Sequence, residues 1–176
     1  MKKLLCVFAG MLGLAGCGSV DVEHYAEETP VLDLREYFDG TLDAHGIFQD
    51  RSGEVVKRFH AVIEASWEGD TGTLDERFTY SDGTTQRRVW TIVRHDAHTY
   101  TGTAGDVIGE AKGEARGNAL RWRYVLELPV DGKTWHVNFD DWMFLMDERV
   151  MLNRSEMSKF GVRLGEVTLS FYKRDA

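Results

Sequence analysis

Residues 119–145 read ALRWRYVLELPVDGKTWHVNFDDWMFL, two alternating runs joined at Val130-Asp131-Gly132. An Asp-Gly pair between such runs signals a two-residue hairpin, because the tight turn needs a backbone that aspartate and glycine adopt at little cost. With Asp131 and Gly132 at its centre, Val130 stands opposite Lys133 and Leu128 opposite Trp135. Leu126 then faces Val137, Tyr124 faces Phe139, and Trp122 faces Asp141. Side chains alternate across a strand, so register fixes which of them share a face. Leu120, Trp122, Tyr124, Leu126 and Leu128 therefore lie with Trp135, Val137, Phe139, Met143 and Leu145, while Arg121, Arg123 and Glu127 point the other way. One apolar and one polar face is the pattern of an antiparallel sheet folded over a core.

The same period of two runs through most of the chain. Turn signals recur at residues 51–53, 69–72, 81–83, 95–98, 115–118 and 130–132, and the runs between them are rich in Val, Thr, Ile, Phe, Tyr and Trp. In residues 54–68, Phe59, Ala61, Ile63, Ala65 and Trp67 alternate with Arg58, His60 and Glu64. About ten short strands joined by short turns predict an all-β meander, and closure into a barrel would remove its exposed edges. The expected fold is a single antiparallel up-and-down barrel over residues 31–176, with a short helical segment in Val31–Phe38 carrying Leu32, Leu34, Tyr37 and Phe38. Residues 109–115 turn only Gly109, Ala111, Gly113 and Ala115 inward. Such small residues leave room that either large neighbours or a ligand must fill.

Two further turns place charge inside. With Asp82-Gly83 as a two-residue turn, Phe78 pairs with Arg87, and Glu76 lies diagonal to Arg87 on the inner face. With Asp147-Glu148 as another, Leu145 pairs with Val150, Met143 with Leu152, and Asp141 with Arg154 beside Trp122. A buried carboxylate needs a partner, and arginine can meet it bidentately. Either Asp141 and Arg154 form an ion pair that fixes register, or Arg154 holds a ligand head group with Asp141, Asn153, Lys159 and Glu166 around it. On this register Trp142, Phe144 and Met146 face outward with Met151 and Met157, and Val31–Phe38 is the expected cover.

The first residues belong to no barrel. Met1–Lys3 are basic, Leu4–Leu14 form an apolar run too short to span a bilayer, and Leu14-Ala15-Gly16-Cys17 closes it with small residues. Residues 1–16 are expected to be a signal peptide, and residues 17–30 a lipidated N-terminus and polar tether. Cleavage would take two lysines and no acid, moving the net charge from −8 to −10. A domain this acidic suits neither nucleic acid nor an anionic membrane surface. Cys6 falls in the removed segment, leaving Cys17 alone, so disulfides, thiol catalysis and cysteine metal sites are excluded.

Catalytic signatures are missing. No nucleophile elbow, phosphate loop, dinucleotide fingerprint or HExxH motif occurs. Of six histidines only His95 and His98 are closely spaced, in a turn and without further ligands, so neither metal nor cofactor is expected. Asp140 and Asp141 point to opposite faces of one strand and cannot act as a glycosidase pair.

Leu14–Cys17 resembles the lipobox of bacterial lipoproteins, which implies a diacylglyceryl, palmitate-bearing Cys17; Gly18 in place of aspartate implies the outer membrane. Asp141-Trp142-Met143, Asn153-Arg154-Ser155, Met157–Gly161 and Gly165–Thr168 resemble a family of Gram-negative lipoproteins catalogued as a domain of unknown function. The F-D-G-x-L-x-A-x-G-x-F-x-D-R-x-G opening at Phe38–Gly53 extends that resemblance. Strand number and size are similar to the calycins, the lipocalins and fatty-acid-binding proteins, although neither Gly40 nor Gly46 has the tryptophan of a G-x-W signature. The expectation is a monomeric, lipid-anchored periplasmic barrel that binds a lipid-like or fatty-acid ligand. A filled barrel serving as a structural or partner-binding module is the second reading, and an enzyme on a modified fatty acid the third.

Overall fold

Ten antiparallel strands follow one another around a closed barrel, each paired with its sequence neighbours and the last with the first. They are β1 (Gly40–Asp50), β2 (Val55–Glu68), β3 (Thr71–Tyr80), β4 (Thr85–Arg94), β5 (Thr99–Thr103), β6 (Ala111–Arg116), β7 (Ala119–Val130), β8 (Lys133–Leu145), β9 (Val150–Lys159) and β10 (Val162–Lys173). The structure, a computed structural model, describes residues 20–130 and 132–175. The expected signal peptide and Cys17 lie outside the described residues.

The β7–β8 hairpin has the expected register, with Val130 opposite Lys133 and Trp122 opposite Asp141. Its inward residues Leu120, Trp122, Leu126, Val137 and Phe139 are buried. The inward set of β2 is likewise buried at Phe59, Ala61, Ile63 and Ala65.

The other two turns differ from expectation by one residue. Leu145 pairs with Met151 and Asp141 with Ser155. Phe78 pairs with Gln86 and Glu76 with Arg88. Each connection uses three residues: Tyr80 N–H donates to Thr84 O around Ser81-Asp82-Gly83, and Met146 N–H to Val150 O around Asp147-Glu148-Arg149. Because the side-chain period is two, one extra turn residue inverts the whole following strand. Met151 and Met157 therefore face inward, and Met151 is fully buried.

The outer stripe is covered by a different segment from the one expected. A single 3₁₀ turn, Val22–Tyr25, lies on the outer wall of β6 and β7. Tyr25 packs edge-on against Trp142 and Phe144, with ring centroids 5.9 and 5.1 Å apart. Part of the expected tether is thus docked on the barrel. Gly117 permits this: it has φ +50°, and a Cβ there would lie 1.8 Å from the Tyr25 carbonyl oxygen.

Val31–Phe38 instead stops the lower end of the barrel, where a ten-stranded wall leaves more width than its own side chains fill. Helix α1 (Leu34–Tyr37) is capped by Asp33, and Leu32, Leu34, Tyr37 and Phe38 join the interior cluster. Trp67 Nε1 donates to Phe38 O at 2.8 Å and Tyr37 Oη to Arg149 O at 3.0 Å, fastening the plug to β2 and the β8–β9 turn.

Candidate ligand-binding site

Trp122 on β7 projects into the interior. Its ring lies where a Cβ on Gly113 would come within 2.3 Å of it, and one on Gly102 within 2.6 Å. The small residues of β5 and β6 thus make room for an indole, and part of the space expected from them is filled. Trp90 meets Trp122 and Tyr124 edge-on at 5.8 and 5.4 Å. Around these rings a chamber of about 180 Å³ remains, reaching from Leu34 and Phe38 of the plug to Phe48, Tyr80 and Leu128 at the upper rim. Its walls include Phe59, Phe78, Tyr80, Leu126, Phe139 and Met143.

Polar side chains reach this chamber from β3, β4, β7, β8 and β9. Asp141 on β8 is buried, accepts from Tyr124 Oη at 3.2 Å, and also accepts from the Ser155 hydroxyl of β9. Burial pushes its carboxyl up to about 7, against the lowering effect of the Ser155, Tyr124 and Asn153 side chains. Glu76 on β3 is raised to about 7 by burial, with Arg88 opposing and Asp106, Asp141 and Asp75 reinforcing the rise. Arg88 on β4 is enclosed beside it. Burial disfavours its charge, but bonds of 2.7–3.0 Å to Asp106 and the nearby Glu76 carboxylate keep it cationic. Its distance to Glu76 is 3.8 Å, too long for a hydrogen bond.

Two buried atoms in this cluster make no hydrogen bond: Glu76 Oε2, 3.8 Å from Arg88, and Asn153 Nδ2, which lies close enough to Asp141 to lower its carboxyl without being bonded to it. Both residues line the chamber. An unpaired buried donor or acceptor costs about 1–3 kcal/mol, so each is a position where a ligand or water would be favoured.

Of the residues expected at the site, Asp141, Trp122, Asn153 and Glu76 come together in the chamber. Arg154 does not: the inverted β9 puts it outside, its side chain 72% exposed and bonded to Glu166 at 2.9 Å. Glu166 is on the same outer surface, held between Arg154 and Arg163. Arg87 is also outside, bidentate to Asp75 on the outer wall. Lys159 stands at the upper rim, its ammonium 4.2 Å from the Trp135 ring centre and away from Asp141. Arg88 and Ser155 are the interior polar residues that the assumed turns concealed, while Tyr124 lies on the expected inner face. The alternation Arg88-Trp90-Ile92 and Met151-Asn153-Ser155, read for apolar parity alone, would have found Arg88 and Ser155.

His95 and His98 diverge, His95 bonding the Thr101 hydroxyl and His98 the Ala115 carbonyl. Asp140 faces outward to Arg121, opposite in sense to Asp141.

Among solved structures the chain is similar to the S-type phycobiliprotein lyase CPES from Guillardia theta. The TM-score is 0.59 at 7% identity, covering 82% of this chain and 94% of that one. It is also similar to a de novo designed fluorescence-activating β-barrel, with TM-score 0.45 and 13% identity over 81% of this chain and 99% of that one. The lyase likeness establishes a shared calycin-like barrel fold. No curated protein sequence matches the chain. Residues 11–173 match the family described as protein of unknown function (DUF3833), and the chain belongs to that family.

Proposed function

We propose that the barrel is a ligand-binding module of the cell envelope, anchored through a lipidated Cys17 at the periplasmic face of the outer membrane. Its ligand is a small amphipathic molecule. The observation that carries this reading is the pair of unpartnered buried atoms, Glu76 Oε2 and Asn153 Nδ2, in a chamber walled mainly by apolar side chains. A carbon-lined space with a few convergent polar groups is the general form of small-molecule sites. At about 180 Å³ the chamber is below the roughly 300–1,000 Å³ of drug-sized pockets. It is close to the ~150 Å³ of an engineered cavity that holds benzene. A long acyl chain would not be enclosed. The polar end of the ligand sits deep, and a longer body runs toward the upper rim past Phe48, Tyr80 and Leu128.

Native mass spectrometry of protein released from membranes should show a bound small molecule that is lost in Glu76→Gln. The filled-barrel module is favoured by one observation, the Trp122 ring seated over Gly102 and Gly113. Repeated absence of an adduct, with no uptake of small amphiphiles, would select that reading instead.

A further inference from the structure

The chemistry of the chamber restricts the charge of what it can hold. Its carboxylates are Glu76 and Asp141, with Asp106 at the edge, and Arg88 is the cation beside them. Arg88 spends Nε and Nη2 on the two Asp106 oxygens, and its Nη1 lies 3.8 Å from Glu76 Oε2. Arg87 and Arg154 are on the outer wall. An entering carboxylate would therefore lose its hydration, meet two buried acids, and find the charge of the lining Arg88 already balanced by Asp106 and Glu76. A cation meets the reverse situation. Glu76 Oε2 is a buried acceptor without a donor. Trp90, Trp122, Tyr124 and Phe78 present ring surfaces to the same space, and aromatic faces attract organic cations most strongly where water is excluded. Asn153 Nδ2 adds an unused donor, so the ligand should also carry an acceptor.

Resting on the ligand-binding reading above, we infer that the chamber takes an organic ammonium compound. Its cationic nitrogen is held by the Glu76 and Asp141 carboxylates, an adjacent oxygen accepts from Asn153, and its apolar body lies against the aromatic walls. The bond set is complete without Arg88, whose part is to hold Glu76 and Asp106 in place.

A matched series tests charge at constant shape: 2-phenoxyethylamine, 2-phenoxyethanol and phenoxyacetate, titrated into the full chain in nanodiscs of zwitterionic lipid. Calorimetry gives affinity, and the indole N–H resonances of Trp90 and Trp122 locate the event. The amine should bind at least tenfold more tightly than the alcohol, and phenoxyacetate most weakly. Glu76→Gln should reduce the amine-to-alcohol ratio about tenfold, while the outer-wall Arg154→Gln leaves it unchanged. Equal or tighter binding of the alcohol or the carboxylate would overturn the cation assignment and leave the ligand-binding reading standing. Failure of all three to shift the indole resonances would remove both. The series on the unaltered protein decides the question even if Glu76→Gln does not fold.

Discussion

Glu76 and Asp141 are acids enclosed by aromatic carbon, and burial favours their neutral forms, to about 7 in each case. The groups facing them are Arg88, Asp106, Asp75, Asp140, Tyr124, Ser155 and Asn153. With folded pKa values above their unfolded values near 4, the folded state binds more protons between about pH 4 and 7. Their contribution is thus complete below the unfolded pKa and is lost as pH rises through 7. Denaturant titrations should show the unliganded barrel gaining on the order of 4 kcal/mol from pH 7 to pH 5, about 2 from each acid. Asp141→Asn should about halve that slope. The trend reverses below about pH 4, because Asp43, Asp75 and Asp82 are held below the usual carboxylate range by Arg174, Arg87 and Thr84. A second prediction at this scale concerns Gly113. Valine there would press into the rigid Trp122 ring, and overpacking should cost about 1–3 kcal/mol, read as a lower midpoint of thermal unfolding.

At the scale of elements, three hairpin turns decided how much could be read from sequence. Asp131-Gly132 joins two long runs whose alternation agrees on both sides, so turn and faces confirm one another, and Trp122 and Asp141 were placed correctly. Ser81-Asp82-Gly83 also contains Asp-Gly, but the glycine, at φ +82°, is the third loop residue and not the second central one. Turn chemistry alone does not separate these two cases. Asp147-Glu148-Arg149 has no glycine; Asp147 caps the turn by accepting from the Arg149 and Val150 amides. Each misplaced residue exchanged a buried side chain for an exposed one, which is how Arg87 and Arg154 stood in for Arg88 and Ser155. The cost of burying arginine discriminates Ser155 from Arg154, but not Arg88 from Arg87, since either register of β4 turns an arginine inward. The plug was legible as a helix but not in its location, because local pattern does not say which end of a barrel a segment will close. Leu34, at 1% exposure, is its deepest residue. Leu34→Ala should destabilise the fold by about 2–5 kcal/mol in denaturant unfolding and increase dye binding to the interior from below.

Taken whole, the barrel closes on itself, since β1 bonds both β2 and β10, although the short β5 and β6 reach only the lower halves of β4 and β7. Its surface limits how it can reach a membrane. The proposed mature chain carries a net charge near −10, which anionic head groups repel. Among the described residues no helix is long and apolar enough to cross a bilayer. If attachment comes from acyl chains on Cys17, it should be insensitive to salt, because several chains on one cysteine hold by hydrocarbon burial and not by charge. The unaltered protein should then stay in the outer-membrane fraction through high-salt and alkaline washes and incorporate labelled palmitate. Cys17→Ser should abolish the label and release a folded barrel with an unchanged circular dichroism spectrum. Retention of that variant on washed membranes would mean that the barrel surface itself binds, with the exposed Phe160 at the β9–β10 tip as the first residue to replace.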